Sequence, residues 1–412
     1  MLIPIRNFIQ DEASGTSTGA YLVGLTGMRG LAAILVMLFH LFSMIGRPPL
    51  IINIFGYQLE FTYIASTGWV GVNLFFVLSG FLLGLPFVDW LRGINTRPSM
   101  ANFYKRRFLR IFPAFYAQLV IFFILGLFGW YRVPQDFYVW ILHAFMLHNL
   151  SQPLSSAING VYWTLPVEFG FYLLLPWFAI ILFCLRPNPK KLFFWFALLL
   201  LVFLLVAIYR YSVFHFITER TRPRLVWALG QLPGVFDQFL CGFFAAFIYR
   251  HFNLGRNSKQ LNLLSNLLFL IGMCGTLAMM YIIHSNVGVY WRAGYGLLFY
   301  WNSTTAIFIG IWVIAVAMRG SFSRKSFETT PVIFLGLISY SLYLWHSPVL
   351  QKLKFYLARQ SDIDTLIWLI IVGSLLVIAI STISYIVIER PFLKIRHSKF
   401  FSDSANLTNS NK

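Results

Sequence analysis

Two residues in one apolar stretch carry the first chemical signal. Gly27-Met28-Arg29-Gly30-Leu31-Ala32-Ala33-Ile34-Leu35-Val36-Met37-Leu38-Phe39-His40 holds a guanidinium and an imidazole among aliphatic side chains. At about 100° per residue, their spacing closes to roughly 20° past three full helical turns. Arg29 and His40 therefore share one helix face, roughly 16 Å apart along its axis, with His40 near the middle of the apolar run. Histidine is suited to moving protons near neutrality. The plainer alternative is a hydrogen-bonded packing histidine.

Other polar groups recur inside apolar runs, where ionisable side chains are costly. Glu168, in Trp163-Thr164-Leu165-Pro166-Val167-Glu168, shares a helix face with Tyr172 four residues on. A carboxylate there needs a cation or a proton, and a structural ion pair is the simpler reading. The same holds for Asp237. Arg106, Arg107 and Arg110 stand at i, i+1 and i+4 in Lys105-Arg106-Arg107-Phe108-Leu109-Arg110. They suit a phosphate ligand, or simply anchor topology. Ser339, Tyr343 and His346 place polar groups on one face of a late helix. Gly71, Ser79, Gly80 and Gly84 favour close helix packing, while Asn73 and Ser79 could also line a polar cavity. Glu389 with Arg390 reads as an anchor at a membrane edge. No phosphate-binding loop, dinucleotide fingerprint, hydrolase elbow or clustered metal site is present in the sequence.

Positioning such groups falls to elements that the composition restricts. Only 11% of the 412 residues are charged and 58% are hydrophobic, against about 25% charged in soluble domains. A water-soluble enzyme is thereby excluded. The net charge of +19 does not indicate nucleic acid, because the charges are sparse and lie between long apolar runs. Ten runs are long enough to span a bilayer: 27–46, 68–90, 110–130, 163–184, 191–210, 231–249, 262–283, 295–317, 332–351 and 365–388. The stretch Phe137–Leu150 is too short and reads as interfacial or re-entrant, with a full crossing as the alternative. Ten spans put 21 Lys and Arg on one face and 10 on the other, so the positive-inside rule places both termini in the cytoplasm. If Phe137–Leu150 crossed, that bias would largely cancel. Arg210, Arg220, Arg222 and Arg224 fall on the outer side, where an anionic ligand or lipid headgroups could meet them.

The expected fold is an all-α bundle of about ten transmembrane helices. A cytoplasmic segment 1–24 precedes a membrane domain 25–391, and 392–412 forms a disordered cytoplasmic tail. The N-terminus, with Asp11 and Glu12, does not read as a cleavable signal. Cys184, Cys241 and Cys274 lie in apolar segments and suggest neither zinc nor disulfides.

Taken in order, these segments resemble the acyltransferase-3 family of membrane acyltransferases, from about Leu25 to Pro391. The resemblance rests on five pieces. They are Arg29-x10-His40; Gly71-Val72-Asn73-Leu74-Phe75-Phe76-Val77-Leu78-Ser79-Gly80-Phe81; Arg106 to Pro113; Trp163 to Glu168; and Ser339-Tyr340-Ser341-Leu342-Tyr343-Leu344-Trp345-His346. The chain departs from the family pattern at Asn73, often Asp, at Pro166, often Ser, and at Phe169, often polar.

The resemblance implies a multi-pass protein of the bacterial inner membrane. It would transfer an acyl group, usually acetyl, from cytoplasmic acyl-coenzyme A to a hydroxyl of an envelope glycan or glycolipid. Acetyl-coenzyme A is then a co-substrate; no permanently bound cofactor and no metal are expected. Some relatives carry an extra periplasmic domain, for which a chain ending at 412 leaves no room. His40 would act as general base or transient acyl carrier, with Glu168 orienting it. Arg29, Arg106, Arg107, Arg110 and Ser79 would hold the donor. Asp237, Tyr172, Tyr343, His346, Arg220 and Arg222 are candidates on the acceptor side. The rival readings are a glycan or lipid transporter or flippase, which lacks inverted repeats here, and a scaffold subunit of an envelope complex.

Overall fold

Lipid offers no partner for backbone N–H and C=O groups, so apolar runs of this length satisfy them internally as helices. The computed structural model describes residues 22–54, 56–185, 192–217, 221–254, 258–286, 296–357 and 363–395. Its main helices are α1 (Val23–Met44), α2 (Val70–Leu91), α3 (Met100–Leu127), α4 (Phe137–Ala144), α5 (Thr164–Cys184), α6 (Leu192–Phe216), α7 (Leu232–His251), α8 (Lys259–Ser285), α9 (Gly296–Ala317), α10 (Thr330–Leu337), α11 (Ser339–Leu357) and α12 (Ile363–Ser384). Among the described residues, nine helices are long and apolar enough to cross a membrane, and α10 with α11 makes a tenth, bent by 73°. The ten expected spans are thus all present, the ninth as a broken one. At eight residues, α4 is about 12 Å long and cannot cross. The expected N-terminal segment and tail lie mostly outside the described residues; α1 begins at Val23 and a last helical turn runs over Arg390–Ile395.

Contacts between helix ends establish the alternation. The ends of α2, α5 and α7 meet on one face, where Trp90 stacks on Phe183 at 4.5 Å and Arg250 pairs with Asp89 at 3.0 Å. The ends of α1, α3, α8 and α11 gather on the opposite face. There Lys354 donates to the Met44 carbonyl, Lys352 to the Trp130 carbonyl, and Ser66 lies 2.7 Å from His284 Nδ1. An exposed antiparallel hairpin, Ile51–Ile54 with Tyr57–Glu60, lies on this second face. It was not evident in the sequence, although Gly56, at φ +83°, is the turn residue such a hairpin uses.

The centre of the bundle is α2 against α7. A Cβ on Gly80 would stand 2.0 Å from the Phe239 carbonyl oxygen, and one on Gly242 2.0 Å from that of Val77. Small residues let these backbones touch, and Phe239 stacks between Phe76 and Phe171 at 4.6 and 4.1 Å. α6 and α12 lie at the rim and turn many leucines and isoleucines outward, where lipid solvates them.

Proline shapes α11. Pro348 has no N–H for the Leu344 carbonyl four residues back. Gln118 and Asn159 each donate to that freed oxygen at 3.0 Å, and the Tyr162 hydroxyl holds Gln118 at 2.7 Å. This clamp fixes the helix that carries Tyr343 and His346.

Candidate active site

A cavity of about 750 Å³, its mouth included, opens among α1, α2, α3, α5 and α11. Arg29 comes from α1 and Ser79 from α2. Arg107 and Arg110 come from α3, and Glu168 and Tyr172 from α5. Ser339, Tyr340 and Tyr343 come from α11. The rest of the lining is largely apolar, with Val72, Phe75, Phe76, Leu78 and Leu82 from α2. The three arginines stand on the side from which α1 and α3 start, the face carrying most of the Lys and Arg.

Helical spacing explains who faces inward. Arg107 and Arg110 are three residues apart and share a face; both line the cavity, whereas Arg106 does not. Glu168 accepts a hydrogen bond from Ser79 at 2.8 Å and another from the Tyr172 hydroxyl. The Arg107 guanidinium lies 5.9 Å from the Tyr172 ring centroid, close enough for a cation–π contact. Arg29 is in electrostatic contact with Glu168, Tyr172, Arg107 and Arg110. The arrangement is one carboxylate among three guanidiniums, a wall suited to a multiply charged anion.

Glu389 corrects an expectation. It does not anchor at a membrane edge but is buried behind Arg110, 3.7 Å from its guanidinium, and accepts from Ser341 at 2.5 Å. A π-turn over Tyr385–Glu389 resets the helical phase there, a feature found often at functional sites.

His40 also stands elsewhere than expected. It lies four residues from the end of α1, about 10 Å past the helix midpoint. It is half-buried, and its ring contacts are Phe39 at 5.2 Å and His346 at 5.1 Å. Glu168 is held by Ser79 and Tyr172, so these contacts assign no role for it in orienting His40. His346 is buried, with its ring 5.8 Å from Tyr343. Tyr343 closes the inner end of the cavity on α11, its hydroxyl 2.8 Å from Thr164 and donating to the Val161 carbonyl at 3.0 Å.

The sequence that builds this basic, part-apolar cavity, and the histidine pair beyond its inner end, matches a known family. Residues 22–386 match the family described as Acyltransferase domain, Acyl_transf_3. The chain belongs to this acyltransferase family. It is 28% identical, over 87% of its length, to the peptidoglycan O-acetyltransferase OatA of Listeria monocytogenes. It is 26% identical, over 91% of its length, to the O-acetyltransferase OatA of Staphylococcus aureus. Each match covers 57% of the relative, so the chain spans little more than half the length of these curated relatives. A putative acetyltransferase of Acidianus two-tailed virus is 24% identical over 77% of the chain and 80% of its own length. No solved structure matches.

The remaining candidates of this acyltransferase-family chain separate from the cavity. Asp237 is fully buried and held by Arg210, which donates to its two oxygens at 3.1 and 2.9 Å, and by the Ser303 hydroxyl. Arg210 also donates to the Gly234 carbonyl and to Ser303, each at 3.0 Å. Arg210 is therefore not an outer-surface cation: it is 1% exposed inside the bundle, as the partner that makes a buried carboxylate tolerable. Arg222 begins a short helix, Arg222–Leu229, and Arg220 lies outside the described residues. Asn73 donates to Asn302 at 3.0 Å and not into the cavity. Sequence reasoning missed Thr164 and Tyr340 as lining residues, Glu389 behind Arg110, and the Gln118–Asn159 clamp, and it placed Ser339 only on a polar helix face. Pro348, within a helix of polar face, was the available signal for the clamp.

Proposed function

We propose that the chain transfers an acyl group, acetyl in the first instance, from acyl-coenzyme A to a hydroxyl of an envelope glycan or glycolipid. The observation that carries this is the cavity wall of Arg29, Arg107 and Arg110 set against the apolar lining beyond it. Coenzyme A has the matching polarity: phosphates at one end and a thin, largely uncharged arm at the other. The phosphates would lie against the guanidiniums, and the arm along Phe75, Ser79 and Leu82 toward Tyr343. Glu168 would hold the cationic wall in place without filling it.

His40 supplies the reactive imidazole, as base on the acceptor hydroxyl or as transient carrier of the acyl group. Its position near the opposite end of α1 suits an acceptor arriving from the face away from the arginines. The positive-inside rule makes the arginine face cytoplasmic, where acyl-coenzyme A is available, and a bacterial inner membrane is the location that fits the bacterial relatives. The Listeria relative is named for peptidoglycan, so a glycan strand is the first acceptor to try.

The test uses the purified protein in lipid nanodiscs with labelled acetyl-coenzyme A and soluble glycan fragments. Label should pass to the glycan, and His40→Ala should abolish transfer while the protein still inserts and purifies. Near wild-type turnover by His40→Ala would exclude the histidine mechanism. No coenzyme A release by the wild type under any acceptor would exclude the acyltransferase reading and favour transport.

A further inference from the structure

One residue in ring contact with both the cavity's Tyr343 and His40 has chemistry that is unspent. On α11 the lining runs through Ser339, Tyr340 and Tyr343, and His40 is not part of it. His346 stands one turn beyond Tyr343, its ring 5.8 Å from that of Tyr343 and 5.1 Å from that of His40. It is fully buried.

Its hydrogen bonding sets its tautomer. His346 Nδ1 lies 3.0 Å from the Leu342 carbonyl. A carbonyl only accepts, so in the neutral ring Nδ1 carries the hydrogen and Nε2 is a bare lone pair. That Nε2 is buried and has no hydrogen-bond partner. Buried polar atoms are nearly always paired, and an exception calls for an explanation in function, strain or bound water. Strain is a poor account here, because the helix is braced on both sides of the ring. Tyr343 is tied to Thr164 and Val161, and the Leu344 carbonyl is tied to Gln118 and Asn159. A rigid support that holds a basic nitrogen next to a second imidazole is the arrangement a proton acceptor needs.

We propose that His40 carries the acyl group and that His346 Nε2 takes the proton released as it does so; this rests on the acyl-coenzyme A reading above. A ring nitrogen of His40 attacks the thioester carbon, the C–S bond breaks, and the sulfur leaves as thiolate with the electron pair. The acyl-imidazolium so formed gives its N–H proton to His346, leaving a neutral acyl-imidazole. That proton then passes to the thiolate, which departs as the free thiol. In the second half the acceptor hydroxyl attacks the acyl carbon while His346 takes its proton. The N–acyl bond breaks and the proton returns to His40. Thioester and alcohol have become ester and thiol, and both rings are neutral again. In this scheme His346 is a proton-accepting partner, not an acceptor-binding residue.

The experiment incubates the full-length protein in nanodiscs with labelled acetyl-coenzyme A and no acceptor, then maps the label by peptide mass spectrometry. The expected label is on the peptide containing His40, and it should chase onto added glycan. His346→Gln and His346→Phe should slow single-turnover coenzyme A release by about 100-fold, the scale of general-base contributions. The donor dissociation constant should stay within about threefold of wild type, and so should detergent thermal stability. A purely structural role would shift stability and binding together with rate. The double variant His40→Ala/His346→Gln should be no slower than His40→Ala alone, because residues that act as one unit do not add. Wild-type release by His346→Gln, label on another residue, or multiplying losses would each overturn the proposal. If the wild type turns over but never labels His40, the acyl-carrier role alone fails. If it never releases coenzyme A, the acyltransferase reading fails first.

Discussion

Removing the Asp237 carboxylate by alanine substitution leaves the Arg210 guanidinium, 1% exposed, charged inside the bundle. The two groups now sit 2.9 Å apart at their closest atoms. With charge centres about 4 Å apart and an effective dielectric near 20, their attraction is about 4 kcal/mol. That falls in the range of roughly 3–5 kcal/mol seen when one partner of a buried pair is deleted. Deleting both partners removes the uncompensated charge, and apolar replacement of a whole pair is often close to neutral. Asp237→Ala should therefore lose about 3–5 kcal/mol, and Asp237→Ala/Arg210→Met should recover most of it. The protein carries its own reporter for this. Cys241 is buried one turn from Asp237 on α7, whereas Cys184 and Cys274 are exposed. With those two replaced by serine, a thiol-reactive dye reads the opening of α7 as temperature rises. Equal stability of Asp237→Ala and wild type, or a double variant no better than the single, would refute the structural assignment and return Asp237 to the acceptor side.

Other consequences are simpler to state. Arg107→Ala and Arg110→Ala should each raise the donor KM by about 10–100-fold, since a hydrogen bond to a charged group is worth roughly 1.5–3 kcal/mol. Arg106→Ala, outside the cavity lining, should change it by less than about threefold; equal effects from all three would count against the assignment. Gly80→Val should prevent assembly, read as loss of monodisperse protein on size exclusion, because a Cβ there would meet the Phe239 carbonyl oxygen at 2.0 Å. His143 and His148 stack at 4.3 Å outside the membrane-spanning helices. Burial first, and then neighbouring His143, pushes His148 down to about 3 from the usual 6.5. The unfolded state thus binds more protons below about pH 6.5. The stability this pair contributes is present above that pH and declines as pH falls toward 3. His148→Phe should flatten the fall of the thermal midpoint between pH 7 and 5.

Much of this was legible because it rests on short-range periodicity. Spans follow from apolar length, and the shared faces of Arg107 with Arg110 and of Glu168 with Tyr172 follow from three- and four-residue spacing. Contacts between helices follow no such rule. Arg210 looked external because it lies late in an apolar run, and its partner Asp237 is 27 residues away on another helix. Glu389 looked like an edge anchor because it directly follows the last apolar run, beside Arg390 and Pro391, and the π-turn over Tyr385–Glu389 leaves no signal in that spacing. The pairing of His40 with His346 joins the first crossing to the ninth, on a helix that follows a 73° bend from α10, and no local spacing encodes it. His40 itself was displaced in depth because the apolar run was taken to begin at Gly27, while the helix begins at Val23.

The basic residues divide into two populations once their surroundings are known. Orientation in a membrane requires Lys and Arg near helix ends on the cytoplasmic side, and residues left in water satisfy it at no desolvation cost. Lys105 is exposed and fits that role. Arg29, Arg107 and Arg110 do not, for they line an internal cavity, where each guanidinium gives up hydration worth several kcal/mol. Glu168 in the cavity and Glu389 behind it return part of that cost and leave a formal excess of one positive charge across the five groups. A fold selected for orientation alone would gain nothing from this excess and would be more stable with these side chains outside. The proposed donor would use this excess, with its phosphates against the guanidiniums and its uncharged arm along the apolar continuation toward Tyr343.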